Sequence, residues 1–321
     1  MANRALVTGG AGFIGSHIAD ALLDRGFHVV ILDDLSTGRR QNVPAAAEFM
    51  PLDVRSADAA RVVREGGFDV VVHQAAQIDV RRSVTDPVHD ASINILGALN
   101  LLEAVRAAAR RPRFVFASTG GAIYGDFVTP PNVEEYAKDP DSPYGIAKLA
   151  VEHYLAYYGR VHGVEGAVLR YANVYGPRQD PHGEAGVVAI FCNRLLDGKP
   201  LTVFGDGKQT RDYVHVKDVA AANVAVATAA LPPPGRLDVR AMNIGTGIET
   251  DVLTLAETLR RVSGRDAAIE FAPARPGEQR RSAVSIGKVQ QRLGWQPQRT
   301  LEVGLKETFE YFFAARGGRG N

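Results

Sequence analysis

RALVTGGAGFIGSHIADALLDRG, residues 4–26, decides how the rest of the chain reads. Residues 4–8 are a short apolar strand. Gly9, Gly12 and Gly15 follow at the spacing G-x-x-G-x-x-G, and the chain then runs into a helix with apolar positions near every 3.6 residues. Glycines here permit a tight turn, let the backbone approach a pyrophosphate closely, and let helix and strand pack tightly. The helix that follows offers free N–H groups and the positive end of its dipole to phosphates. The next strand, HVVILD, ends on Asp33, 18 residues past Gly15, where a carboxylate can accept hydrogen bonds from the adenine ribose hydroxyls of a dinucleotide. A carboxylate there repels a 2′-phosphate, so NAD is favoured over NADP, although Arg39 and Arg40 lie close enough in sequence to meet one.

Outward from this stretch the alternation continues. Apolar runs at 48–54, 69–76, 113–119 and 165–173 are separated by helical patterns near 57–66, 88–109 and 143–162. Unbroken apolar strands alternating with amphipathic helices predict an α/β fold, a Rossmann-type doubly wound parallel sheet covered on both faces. The regularity weakens over 177–212, returns at YVHV, the helix near 217–230 and RAMNIGTG, and then changes style again from 249. The expected division is a dinucleotide-binding domain of 1–176 and 213–248. A smaller α+β substrate-binding domain takes 177–212 and 249–321.

The 321 residues carry a net charge of +1, with 45% hydrophobic and 23% charged. No basic excess exists to bind nucleic acid or an anionic membrane. The basic run RRPR at 110–113 reads as a solvated helix end. The lone cysteine, Cys192, excludes an internal disulfide, fits a reducing, cytoplasmic setting, and lies in the apolar run VVAIFCNRLL as a small buried hydrophobe. No signal peptide, transmembrane run or metal site is expected. The tail ARGGRGN, 315–321, reads as disordered.

A second stretch carries chemistry. In SPYGIAK, residues 142–148, Ser142 and Pro143 make a helix start, as N-cap and first helical residue. Tyr144 and Lys148 then share one helix face at i and i+4. A nearby ammonium favours the phenolate of a tyrosine whose free pKa is about 10, so Tyr144 can act as a base. The same spacing recurs at Tyr213 and Lys217. There the alternating DYVHV reads as a strand, whose four residues span about 13 Å, too far for cooperation. At the end of the 113–119 strand, Ser118 and Thr119 lie at the carboxyl edge of the sheet. Either hydroxyl can hold a reacting hydroxyl and pass its proton to Tyr144. Asp53 reads equally as a turn carboxylate or as a contact to adenine, and His73 as a structural residue near a strand end.

Together VTGGAGFIGSH, LDDLSTG, VVHQAA, YGIAKLAVE, RYANVYGPRQ, FGDGKQTRDYVHVKDVA and NIGTG resemble the extended branch of the short-chain dehydrogenase/reductase superfamily, and within it the NAD-dependent UDP-glucose 4-epimerases. The resemblance implies that Gly9, Gly12, Phe13, Ile14, Gly15, Asp33, Asp34, Asp53 and Val54 hold the adenosine and pyrophosphate of NAD. Gln74, Ala75, Ala76, Asn94 and Tyr171 line the rest of the cofactor, with Lys148 on the nicotinamide ribose. Thr119 matches the family's catalytic serine or threonine and Tyr144 its base. For the substrate it implies Asn173, Val187, Val188, Thr202, Phe204, Arg211, Tyr213, Arg275 and Glu278, the two arginines on the diphosphate. It also implies a homodimer paired through the helices near 93–109 and 146–158. In this chain the loop ASTGGAIYG is one residue longer than the family's usual form, so Ser118 and Thr119 both remain candidates. Gly120 and Gly121 stand where sugar-nucleotide dehydratases carry an acid. That argues against a lyase, and small Ser282 leaves room for a 2-acetamido group.

Overall fold

The computed structural model describes residues 3–181, 186–275 and 279–317. Strand β1 (Arg4–Thr8) turns into α1 (Phe13–Asp24), which returns to β2 (His28–Leu32). Strand β3 (Glu48–Met50), α2 (Ala57–Glu65) and β4 (Val70–His73) repeat the pattern. Next come α3 (Val80–Thr85) and α4 (Pro87–Ala91), the latter continuing through a π-helical stretch, Ser92–Gly97, into α5 (Ala98–Ala107). Strand β5 (Arg113–Thr119) leads through a long loop to α6 (Pro143–His162), then β6 (Gly166–Tyr171) and β7 (Asn173–Tyr175). The chain goes on through α7 (Val187–Leu196), β8 (Leu201–Phe204), β9 (Thr210–Arg211), β10 (Tyr213–His215), α8 (Val216–Thr228) and β11 (Ala241–Ile244). It ends with β12 (Thr250–Asp251), α9 (Val252–Ser263), β13 (Ile269–Ala272), α10 (Gly287–Leu293) and α11 (Leu301–Ala315).

Seven strands form the central sheet in the order β11-β6-β5-β4-β1-β2-β3, every neighbouring pair parallel. The predicted doubly wound sheet is thus present, with its order reversing between β1 and β4. The apolar runs explain both coverings. Ala5, Val7, Val29 and Ile31 face one core, shared with α1 and α8. Leu6, Val30 and Leu32 face the other, shared with α2, α5 and α6. Because side chains alternate along a strand, a sheet buried on both faces needs apolar residues at every position.

A third core, outside the sheet, gathers α7, α9 and α11 around Phe191, Cys192, Leu255, Leu259 and Leu305, beside the parallel pair β8 and β13. This is the smaller α+β unit, and Cys192 is fully buried in it. Two elements depart from their sequence reading. Strand β3 stops at Met50, because Pro51 cannot donate to a ladder. The helix read over 88–109 is interrupted by the π-helical turns. In the run RRPR, Arg110 and Arg111 are exposed, but Arg113 opens β5 and donates to the carbonyls of Val226 and Ala229. No described helix is long and apolar enough to cross a membrane. Glu278 and residues 318–321 of the tail lie outside the described residues.

Candidate active site

The glycine loop is shaped by backbone contact. Gly9 has φ +68°, and a Cβ there would come within 2.6 Å of Ala75 N. A Cβ on Gly15 would lie 2.2 Å from the Gly9 carbonyl oxygen. Only glycine lets α1 begin this close to β1 and β4. Gly12 caps α1 without any side-chain hydrogen bond, so the helix presents uncapped N–H groups over a cradle that a single methyl would fill. These residues fit a dinucleotide pyrophosphate.

Asp33 is buried at the end of β2. Its Oδ2 accepts from Ala11 N at 3.0 Å and its Oδ1 from Leu35 N at 2.8 Å. One carboxylate therefore braces the glycine loop while each oxygen keeps a lone pair for a ribose hydroxyl. Burial raises its pKa, and the two N–H bonds oppose that. Asp34 is exposed and caps Ser36. Arg39 pairs with Asp180 at 3.7 Å, and Arg40 lies over the Phe49 ring, so neither is arranged around a 2′-phosphate. Asp53 is clasped by the Arg55 guanidinium, which holds its pKa below the usual range. Val54 is buried, and its carbonyl accepts from Asn100.

Past β4, Gln74 donates to the Tyr171 hydroxyl at 3.0 Å, and Ala75 N donates to Thr8 Oγ1. Ala76 follows at partial exposure. Asn94, in the π-helical stretch, clasps both backbone groups of Gln77, accepting from its N–H at 3.0 Å and donating to its carbonyl at 2.9 Å. His73 is buried between Phe114 and Phe116, shares a hydrogen bond with Thr8, and is pushed down to about 3 by burial. It is a neutral structural residue.

The start of α6 follows the Ser-Pro signal. Ser142 Oγ accepts from Gly145 N, and Pro143 is the first helical residue. Tyr144 N donates to Ser83 Oγ of α3 at 3.2 Å. Lys148 is buried, its Nζ donating to the Ala117 carbonyl at 3.0 Å, 4.9 Å from the Phe116 ring and 5.8 Å from the Tyr144 ring. Burial draws the Lys148 ammonium down to about 8, and the acids Asp90 and Glu152 oppose this. The Tyr144 phenol is pushed up, by burial first and then by Asp90. Sequence spacing predicts a phenol lowered by its lysine. Instead, the dry surroundings and an unforeseen acid dominate.

Ser118 and Thr119 part company at the end of β5. Ser118 is buried and donates to Glu152. Thr119 is half-buried. Thr119 Oγ1, Asn173 Oδ1 and Ser282 Oγ converge on Gly121, each 3.9 Å from where a Cβ would stand. Arg275 stacks on Phe204 at 3.8 Å, and Arg211 donates to the carbonyls of Thr210 and Gln279. Thr202 lies on β8 and Val187 begins α7, both part-buried, while Val188 and Tyr213 are buried in the third core. Sequence reasoning passed over Glu152, which bridges Ser118 and the fully buried Arg170, and Asp90. The only available cue to Glu152 was its position four residues after Lys148.

A dinucleotide loop, a Tyr-x-x-x-Lys pair on one helix and a hydroxyl at the neighbouring strand end define a dinucleotide-dependent dehydrogenase-type site on a Rossmann sheet. A family profile described as the NAD dependent epimerase/dehydratase family matches residues 5–245. The chain belongs to that family. Three solved structures are similar along nearly its whole length. The UDP-glucose 4-epimerase of Thermotoga maritima with UDP-glucose is 43% identical, with a TM-score of 0.92, covering 98% of this chain and 99% of that one. The UDP-glucose 4-epimerase of Thermus thermophilus in complex with NAD is 44% identical, with a TM-score of 0.89, covering 97% and 99%. The UDP-N-acetylglucosamine 4-epimerase of Methanobrevibacter ruminantium with UDP-N-acetylmuramic acid is 31% identical, with a TM-score of 0.90, covering 98% and 100%.

Proposed function

We propose that this protein is an NAD-dependent UDP-hexose 4-epimerase that interconverts UDP-glucose and UDP-galactose and accepts their N-acetylated forms. The observation that carries this reading is the placement of Lys148 Nζ, tied to the carbonyl of Ala117 on β5, two residues before Thr119, and 5.8 Å from the Tyr144 ring. Bound NAD supplies a hydride acceptor and, in the same turnover, a hydride donor. Tyr144 takes the proton of the sugar 4-hydroxyl, directly or through Thr119. The C4 hydride leaves to give a 4-keto sugar, which turns about its diphosphate link. Hydride returns to the opposite face of C4, and Tyr144 gives the proton back to the oxygen. Atoms and electrons balance within one cycle.

Arg211 and Arg275 are assigned to the diphosphate. A diphosphate carries about two negative charges, and planar guanidinium groups suit it. The anchor must hold while the hexose turns, so the nucleotide should supply most of the binding energy. Of the two hydroxyls, Thr119 is assigned the proton relay, since Ser118 is committed to Glu152. The small side chain at Ser282, whose Oγ lies 3.9 Å from the Gly121 Cβ position, supports acceptance of a 2-acetamido group. Exposed Leu96, Ile146, Tyr154, Tyr157 and Val161, on the π-helical stretch and α6, support a homodimer formed through these helices. The test is incubation of purified protein with UDP-galactose and no added reductant. UDP-glucose of unchanged mass is expected. A product that has lost water or carbon dioxide would overturn the reading in favour of a lyase.

A further inference from the structure

Asp90 is a charge that the proposed reaction leaves without a task. It lies near the end of α4, the short helix packed against α6, and is only 1% exposed. Its Oδ1 accepts from Gln77 Nε2 and from Asn94 Nδ2, both at 2.9 Å. Its Oδ2 is buried with no hydrogen-bond partner. An asparagine oxygen would serve the same two donors, with an uncharged amide in place of the bare carboxylate oxygen. Folding keeps such an oxygen where the charge itself has a use.

Helix α4 packs against α6, the helix that carries buried Tyr144 and Lys148, and the Asp90 charge favours the protonated form of each, second to burial in size. Other charges around them are already engaged. On α6, Glu152 is bound to Arg170 of β6 and to Ser118 of β5. On β4, His73 is neutral. On α3, the side chains of Arg81 and Arg82 are exposed, away from buried Asp90, and Arg81 has a partner of its own. On α5, Glu103 pairs with Arg106 beside Tyr158, at the far end of α6. Among the described residues, Asp90 is hydrogen-bonded to no cation.

We propose that Asp90 is a positioning residue that acts through its charge, keeping Lys148 an ammonium in a dry site and holding Tyr144 as a phenol until a positively charged nicotinamide ring lies beside it. The proposal rests on the assignment of Tyr144 and Lys148 as the catalytic pair. A negative charge raises the pKa of both a lysine and a tyrosine. Removing it lowers both, so the acid and alkaline limbs of the rate profile slide together to lower pH. Mere loss of packing would lower the height of the profile and leave the limbs in place.

The test is Asp90→Asn in the full-length protein. The chain has seven lysines, so ¹³Cε-lysine NMR can follow each one, with the Lys148 signal identified by its loss in Lys148→Arg. Lys148 should titrate near 8 in the parent protein and about one pH unit lower in Asp90→Asn, with the other six lysines unmoved. Both limbs of the kcat/KM profile for UDP-galactose should move the same way. An unchanged Lys148 midpoint, or a profile that shrinks without sliding, overturns the proposal. Should Asp90→Asn fail to fold, Asp90→Ser gives the same comparison with a smaller neutral side chain. A parent protein without epimerase activity would overturn the functional reading, while the NMR titration still reports on Asp90.

Discussion

Ser118 and Thr119 are neighbours in sequence with different fates. Successive side chains of a strand point to opposite faces, so Ser118 follows Phe114 and Phe116 toward α6 and meets Glu152. Thr119 is left beside Asn173 and Ser282. Substitution separates the two roles. Thr119→Val should lower kcat at least tenfold with little change in melting temperature. Ser118→Ala should keep kcat within a few-fold and lower stability by about 1 kcal/mol, read by urea unfolding. Tyr144→Phe removes the proton carrier and should cost about 10²- to 10⁴-fold in kcat, while NAD content, measured on the purified protein, stays at the parent level.

Helix α6 is where the sequence is most readable. Its start, its cap and the shared face of Tyr144 and Lys148 all follow from local spacing. Ser142→Ala removes the N-cap and should destabilise the fold by about 1 kcal/mol, checked by the shift in denaturation midpoint. The glycine loop, the parallel sheet and the strand-end hydroxyls were legible for the same reason, since each is encoded within a few residues. The unreadable part of the site is long-range. Arg170 on β6 reaches Glu152 on α6 and Asp238 on a distant loop, and neither residue announces the other in sequence. The helix between 87 and 107 shows the same limit. Its apolar period predicts one continuous helix, yet wide turns set Asn94 where it can clasp Gln77.

At the scale of the molecule, three buried histidines make stability depend on pH. His17 is pushed down to about 4, His73 to about 3 and His215 to about 3, in each case chiefly by burial. An unfolded histidine titrates at about 6.5. Between these values the unfolded chain binds more protons, so this stability is complete above about pH 6.5 and drains away as pH falls toward 4 and then 3. Urea midpoints measured from pH 7 to pH 4 should decline. His17→Gln, which keeps a donor for the Pro177 carbonyl, should flatten the decline above pH 4. The apolar faces of the π-helical stretch and α6 bear on assembly. The proposed dimer should sediment as a monomer in Tyr154→Glu, without change in helix content by circular dichroism, and a parent protein that already sediments as a monomer would refute it.

The edge strand β11 has a consequence for how the protein is made. It joins the sheet beside β6, yet the chain reaches it only after passing through α7, β8 and α8. Its Asn243 donates to the Asn132 carbonyl, accepts from the Tyr124 hydroxyl, and its N–H reaches Glu134. The loop that carries the bare Gly121 is therefore secured by residues the ribosome adds more than a hundred positions later. A nascent chain halted before that point would have its glycine loop fully synthesised and its 120–134 loop still without these three anchors.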